Sequence, residues 1–83
     1  MNDEVINENE MAHHVRLTLK KYFKDLDGEQ PCSDMYEMVM SCVEKPLIEM
    51  TLEYAGGNQS RAAEILGINR NTLRKKILQH GIM

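Results

Sequence analysis

Between Asp34 and Ala55 the sequence runs DMYEMVMSCVEKPLIEMTLEYA, and its apolar residues leave almost no side of a helix polar. Met35, Tyr36, Met38, Val39, Met40, Cys42, Val43, Leu47, Ile48, Met50, Leu52, Tyr54 and Ala55 spread well beyond the ~100° stripe of an ordinary surface helix. Glu37, Ser41, Glu44, Lys45, Glu49 and Glu53 confine polarity to one narrow side. A helix of this kind must be covered from two directions, and one neighbouring helix does not suffice. The chain has 83 residues, and so short a chain buries only a limited share of its surface alone. The missing cover is expected from a second copy, in a four-helix intermolecular bundle, or from one heterologous partner with a similar face. Pro46 lacks an N–H and crowds the carbonyl four residues back, so the helix is expected to kink between Cys42 and Pro46.

Upstream of this stretch the pattern is simpler. Residues 1–10, MNDEVINENE, are acidic and polar and read as a flexible arm. Val15, Leu19, Tyr22 and Leu26 then recur at steps of four, three and four, which predicts a helix over 11–26 with Arg16, Lys20, Lys21 and Lys24 on its solvated side. Asp27-Gly28 stops that helix, Ser33 or Asp34 caps the next, and Asp34 with Glu37 approximates a capping box. Leu, Ile, Val and Met dominate the apolar set, only four residues are aromatic, and the expected fold class is all-α with four helices.

The net charge of −3 hides an asymmetry. Residues 1–57 hold twelve acids and five bases, a balance of −7, whereas residues 58–83 hold Glu64 alone against Arg61, Arg70, Arg74, Lys75 and Lys76, a balance of +4. A field acts where contact is made, so the local excess is the informative quantity. With a single acid in the tail, its bases are expected to be unpaired.

The basic tail has its own punctuation. Gly56-Gly57 ends the long helix, Asn58 caps a helix over 59–66, Gly67 stops it, and Asn69 caps a last helix over 70–80 closed by Gly81. Helix, glycine turn and helix is the layout of helix-turn-helix DNA binders. Ala62 and Ala63 are small enough for close helix approach, and Ile65, Leu66, Ile68, Leu73 and Ile77 are the expected apolar contacts. Arg70, Asn71, Arg74, Lys75 and Lys76 remain for the outer surface. Arg suits guanine O6 and N7, Asn suits adenine N6 and N7, and Ser60, Thr72 and the lysines suit phosphate oxygens.

Other chemistries find no support in the sequence. There is no phosphate loop, no paired carboxylates in a cleft, and no His placed to serve Cys42, so no enzyme is expected. Cys32 and Cys42 have no zinc spacing and read as reduced thiols. His13 and His14 are adjacent, hence about 100° apart on a helix, and do not share a metal; no metal or cofactor is expected. No apolar run approaches the ~20 residues of a membrane span, and the acidic N-terminus is unlike a leader, so a cytoplasmic protein without a membrane partner is expected.

The densest stretches, LKKYFKDLDG, YEMVM, VEKPLIEM, GGNQSRAAEILGINRNTLRKK and HGIM, resemble the Fis family of bacterial nucleoid-associated, DNA-bending proteins, from about Val15 to Met83. The tail also resembles the C-terminal DNA-binding domains of sigma-54-dependent activators; those follow an ATPase domain, for which 83 residues leave no room, and the upstream match favours a stand-alone Fis-like protein.

The resemblance implies a homodimer whose two upstream helices interlock, with residues 11–57 forming the dimerisation region and residues 58–83 the helix-turn-helix. It implies double-stranded DNA as partner and a nucleoid location. The family's recognition helices lie closer together than one DNA turn, so the duplex must bend and sites with compressible A/T-rich centres are favoured. By position, Arg70 falls on the arginine that reads a guanine in each half-site, Asn69 on a base-contacting asparagine, and Arg74 on a further base or backbone contact. Asn58, Ser60, Arg61, Thr72, Lys75 and Lys76 fall on backbone-contacting positions, with Ser60 standing for a threonine. Leu78 and Gln79 replace two lysines of the family's best-known member, which implies weaker flanking contacts. About ten dissimilar residues precede the first helix where that member has a longer hairpin arm for DNA invertases, so no recombinase partner is expected. The competing expectation is a helical module that docks a heterologous protein.

Overall fold

Helix-forming periodicity with glycine punctuation gives four helices: α1 (Asp3–Asp25), α2 (Met35–Tyr54), α3 (Gln59–Leu66) and α4 (Arg70–His80). The structure, a computed structural model, describes the backbone of residues 3–82 and the side chains of residues 9–82. No strand occurs among the described residues. The chain divides after Ser33 into two units, one built on α1 and one on α2 to α4.

The first unit corrects one expectation. Helical backbone begins at Asp3, so residues 3–10 extend α1 where an arm had been expected; residues 1 and 2 of that arm lie outside the described residues. No Gly or Pro interrupts the sequence before Gly28, and acidic residues at a helix N-terminus complement its dipole. The helix ends at Asp25, and Asp27 and Gly28 follow at φ 51° and 89°. Tyr22 Oη then accepts the Cys32 N–H at 3.3 Å, which folds the connecting segment back along the helix end. Lys21 and Asp25 pair at 3.0 Å, but both are well exposed, and such pairs contribute at most about 1 kcal/mol.

In the second unit, α2 starts without the expected capping box. Asp34 occupies the N-cap position at φ −103° and ψ 36°, outside the extended geometry that aims a capping carboxylate at the first turn, and its side chain makes no cap bond. The Met38 N–H donates instead to the Asp34 carbonyl at 2.9 Å. The helix passes through Pro46 without a break.

One stripe of α2 builds the core. Ile48, Leu52 and Ala55, at steps of four and three, bury against Ala62 and Ala63 of α3 and Leu73 and Ile77 of α4. Ala62 and Leu73 are fully buried, and the small residue beside the large one lets the helices close on each other. Leu66, Ile68 and Ile82 pack around this centre. Ile65, expected among the contacts, is 48% exposed because Ala62, Ala63 and Leu66 already define the inner side of α3. Every residue of this core is apolar.

Another stripe of α2 is bare. Tyr36, Met40, Val43, Leu47, Met50 and Tyr54 are all exposed, with Leu47 at 51%. Their steps are four, three, four, three and four, the 3.5-residue repeat of a seam that packs against another helix. The excess of apolar surface inferred from the sequence is therefore concentrated in one continuous row.

Candidate nucleic-acid interface

Backbone conformation sets the geometry of the C-terminal module. Gly56 and Gly57 adopt φ 65° and 84° in succession, a path that L-residues follow only at a cost, and the Gly57 N–H donates to the Leu52 carbonyl at 2.8 Å. The chain leaves α2 sharply and reaches Asn58 in extended conformation, where Asn58 Oδ1 accepts the Arg61 N–H at 3.1 Å and starts α3. Gly67, at φ 74°, ends that helix, and the Ile68 N–H returns to the Ala63 carbonyl at 3.0 Å. This Schellman-type closure turns Ile68 inward onto the core. Asn69 then caps α4, its Oδ1 accepting the Asn71 N–H at 2.7 Å. Only Gly67, Ile68 and Asn69 separate the two helices.

With Leu73 and Ile77 facing the core, a rotation of about 100° per residue places Asn71 and Lys75 on the opposite side of α4, with Arg74 and Thr72 on its flanks. Arg70 opens the helix at its free end. Asn58, Ser60, Arg61, Asn69, Arg70, Thr72, Arg74 and Lys75 are all exposed, and α4 contains no acidic residue. The two caps narrow what the asparagines can do. Each amide oxygen gives one lone pair to a backbone N–H of its helix, and the NH2 group stays free to donate outward. Asn69 can therefore give hydrogen bonds to a base or phosphate while capping.

Lys76 behaves differently from the other candidates. Its Nζ lies 2.7 Å from Oε2 of Glu44 on α2, and His80 Nε2 lies 2.8 Å from Oε1 of the same carboxylate. The ionised carboxylate only accepts, so Nε2 carries the proton. The His80 side chain is 5% exposed, and Lys76 and Glu44 are about seven-tenths covered. The hydrogen bond from His80, then that from Lys76, holds Glu44 below the ordinary glutamate range. The expectation that the tail's bases are unpaired fails here, because the acid comes from another helix. A signal was present in the sequence: Glu44 lies one turn before Ile48 on the core-facing stripe of α2, and His80 follows Leu73 and Ile77 on that of α4.

A short helix, a three-residue turn and a second helix with a basic, acid-free outer face define a helix-turn-helix module for binding DNA. Comparison with known proteins agrees. Residues 40–80 match the family described as bacterial regulatory protein, Fis family. A protein of Neisseria meningitidis serogroup A described as Fis-like and DNA-binding is 51% identical over 74 residues, covering 89% of this chain and 92% of that one. A similarly described protein of Ralstonia nicotianae is 50% identical over 78 residues, 94% of this chain and all of its own length. The DNA-binding protein Fis of Actinobacillus succinogenes is 46% identical over 77 residues, 93% of this chain and 77% of that one. The chain belongs to the Fis family of bacterial DNA-binding proteins. No described helix is long and apolar enough to cross a membrane.

Proposed function

We propose that the chain acts as a homodimer at the nucleoid, where it binds and bends double-stranded DNA and regulates transcription. The observation that carries this reading is the bare heptad row on α2, from Tyr36 to Tyr54, on the same helix whose other stripe holds α3 and α4. A second copy packed on that row would complete the missing cover and fix two basic helices at one separation. Six apolar side chains at coiled-coil spacing suit an identical helix without any change of register.

In this reading Arg70 reads a guanine in each half-site and Asn69 donates to a neighbouring base. Arg74 makes a further base or backbone contact, and Asn58, Ser60, Arg61, Thr72 and Lys75 hold phosphates. The free N–H groups at the starts of α3 and α4 add donors for phosphate oxygens. The family resemblance adds the bend: two helices closer than one DNA turn reach successive major grooves only on a curved duplex, which favours A/T-rich centres.

A gel-shift series on A/T-rich duplexes with flanking guanines tests this function. Arg70→Ala is expected to erase discrimination between guanine-matched and mismatched sites. Lys75→Ala is expected to weaken all sites alike and to lower the salt slope by about one unit per subunit. Binding indifferent to both substitutions contradicts the reading.

A further inference from the structure

We infer that Glu44 is a positioning residue for DNA binding, and that Lys76 serves a clamp with Glu44 and His80 rather than a phosphate. The inference rests on α4 being the helix that meets DNA.

The geometry assigns both oxygens of one carboxylate. Oε2 takes Lys76 at 2.7 Å and Oε1 takes His80 at 2.8 Å, from positions 76 and 80, one turn apart on α4. Glu44 itself lies one turn before Ile48, so the clamp continues the apolar contact of α2 with α4. Leu73 and Ile77 fix the inner side of α4 but leave it free to roll about that line. A two-point hydrogen-bonded contact at the C-terminal half removes the roll and so sets where Arg70 points at the other end. Hydrogen bonds of this length to a carboxylate are directional, unlike apolar packing.

Charge explains why Lys76 stays where it is. If its ammonium left for a phosphate, a largely covered carboxylate would remain beside the DNA backbone with one partner lost. Both the uncompensated charge and its repulsion from phosphate oppose that exchange. Lys75 has no such tether and is exposed. Adjacent lysines of the same helix thus have different tasks.

The test measures DNA affinity against salt concentration for the full chain and its variants on matched and mismatched duplexes. Helicity by circular dichroism reports folding for each variant. Lys75→Met is expected to reduce the salt slope by about one unit per subunit, whereas Lys76→Met leaves the slope unchanged. Both Lys76→Met and Glu44→Gln are expected to lower matched-over-mismatched discrimination roughly tenfold. The double variant is expected to be no worse than either single one, because the pair acts as a unit. A salt slope that falls as much for Lys76→Met as for Lys75→Met overturns the inference, as does discrimination untouched by both clamp variants. Arg70→Ala serves as the separate control: if it too leaves discrimination intact, the role of α4 itself fails. Lys76→Met keeps the long stem and leaves Glu44 bonded to His80, so it carries the test if Glu44→Gln does not fold.

Discussion

Asn69 Oδ1 accepts the backbone N–H of Asn71 at 2.7 Å, so one amide starts α4 and leaves its NH2 group free to donate outward. The two duties separate by substitution. Asp caps as well as Asn and favours the positive end of the helix dipole, so Asn69→Asp is expected to keep thermal stability within about 0.5 kcal/mol. It removes the donor and sets a negative charge toward phosphates, and DNA affinity is expected to fall about tenfold or more. Asn69→Ala loses both functions, at about 1 kcal/mol of stability. Thermal melts and gel shifts on the same samples read the two effects.

The turn and the core between α3 and α4 make different demands. Leu73 is fully buried, and Leu73→Ala is expected to cost about 2–5 kcal/mol, as deletion leaves a cavity. Gly67 stands at φ 74° with no atom within 4 Å of an added Cβ, so Gly67→Ala meets no clash. Its cost, about 1–2 kcal/mol, comes from the left-handed conformation alone. Urea unfolding of both variants should rank them in that order.

Leu47 lies in the exposed row of α2, away from Ile48 and the core of its own chain. Leu47→Glu is therefore expected to preserve the fold of α2 to α4 while placing charge in the seam proposed for a second copy. Sedimentation should show the particle mass halved at micromolar concentration, with specific DNA affinity lost in parallel. An unchanged mass would assign the row to something other than self-association.

Glu44 titrates below the ordinary glutamate value of 4.5, through the hydrogen bond from His80 first and from Lys76 second. A carboxylate lowered by folding contributes its full stability above the unfolded value and loses it as pH falls through the folded one. The stability difference between wild type and Glu44→Gln should thus hold steady just above pH 4.5 and shrink below it. Melts at closely spaced pH values between about 5.5 and 2.5 check this sign. A difference that grows with acidification contradicts it.

Local signals in the sequence carried much of this fold. Asn58 and Asn69 were legible as caps because each stands before a short apolar repeat, and Gly67 was legible as the turn between them. The pairs Leu73 and Ile77, and Ala62 and Ala63, follow from spacing and size. What stayed hidden depends on contacts distant in sequence. Glu44 lies 32 residues from Lys76, and no periodicity within α4 reveals its partner. The start of α1 is hidden in the sequence because residues 3–10 are polar, as a flexible arm would be, yet contain no helix breaker. Asp34 has a capping residue's chemistry without its backbone angles.

The most direct test of a paired DNA reader is affinity against the spacing of two guanines flanking an A/T-rich centre, measured by gel shift in one-base-pair steps. A paired reader gives a single maximum at a spacing shorter than one helical turn, and that maximum disappears in Arg70→Ala. Affinity that does not vary with spacing would contradict it.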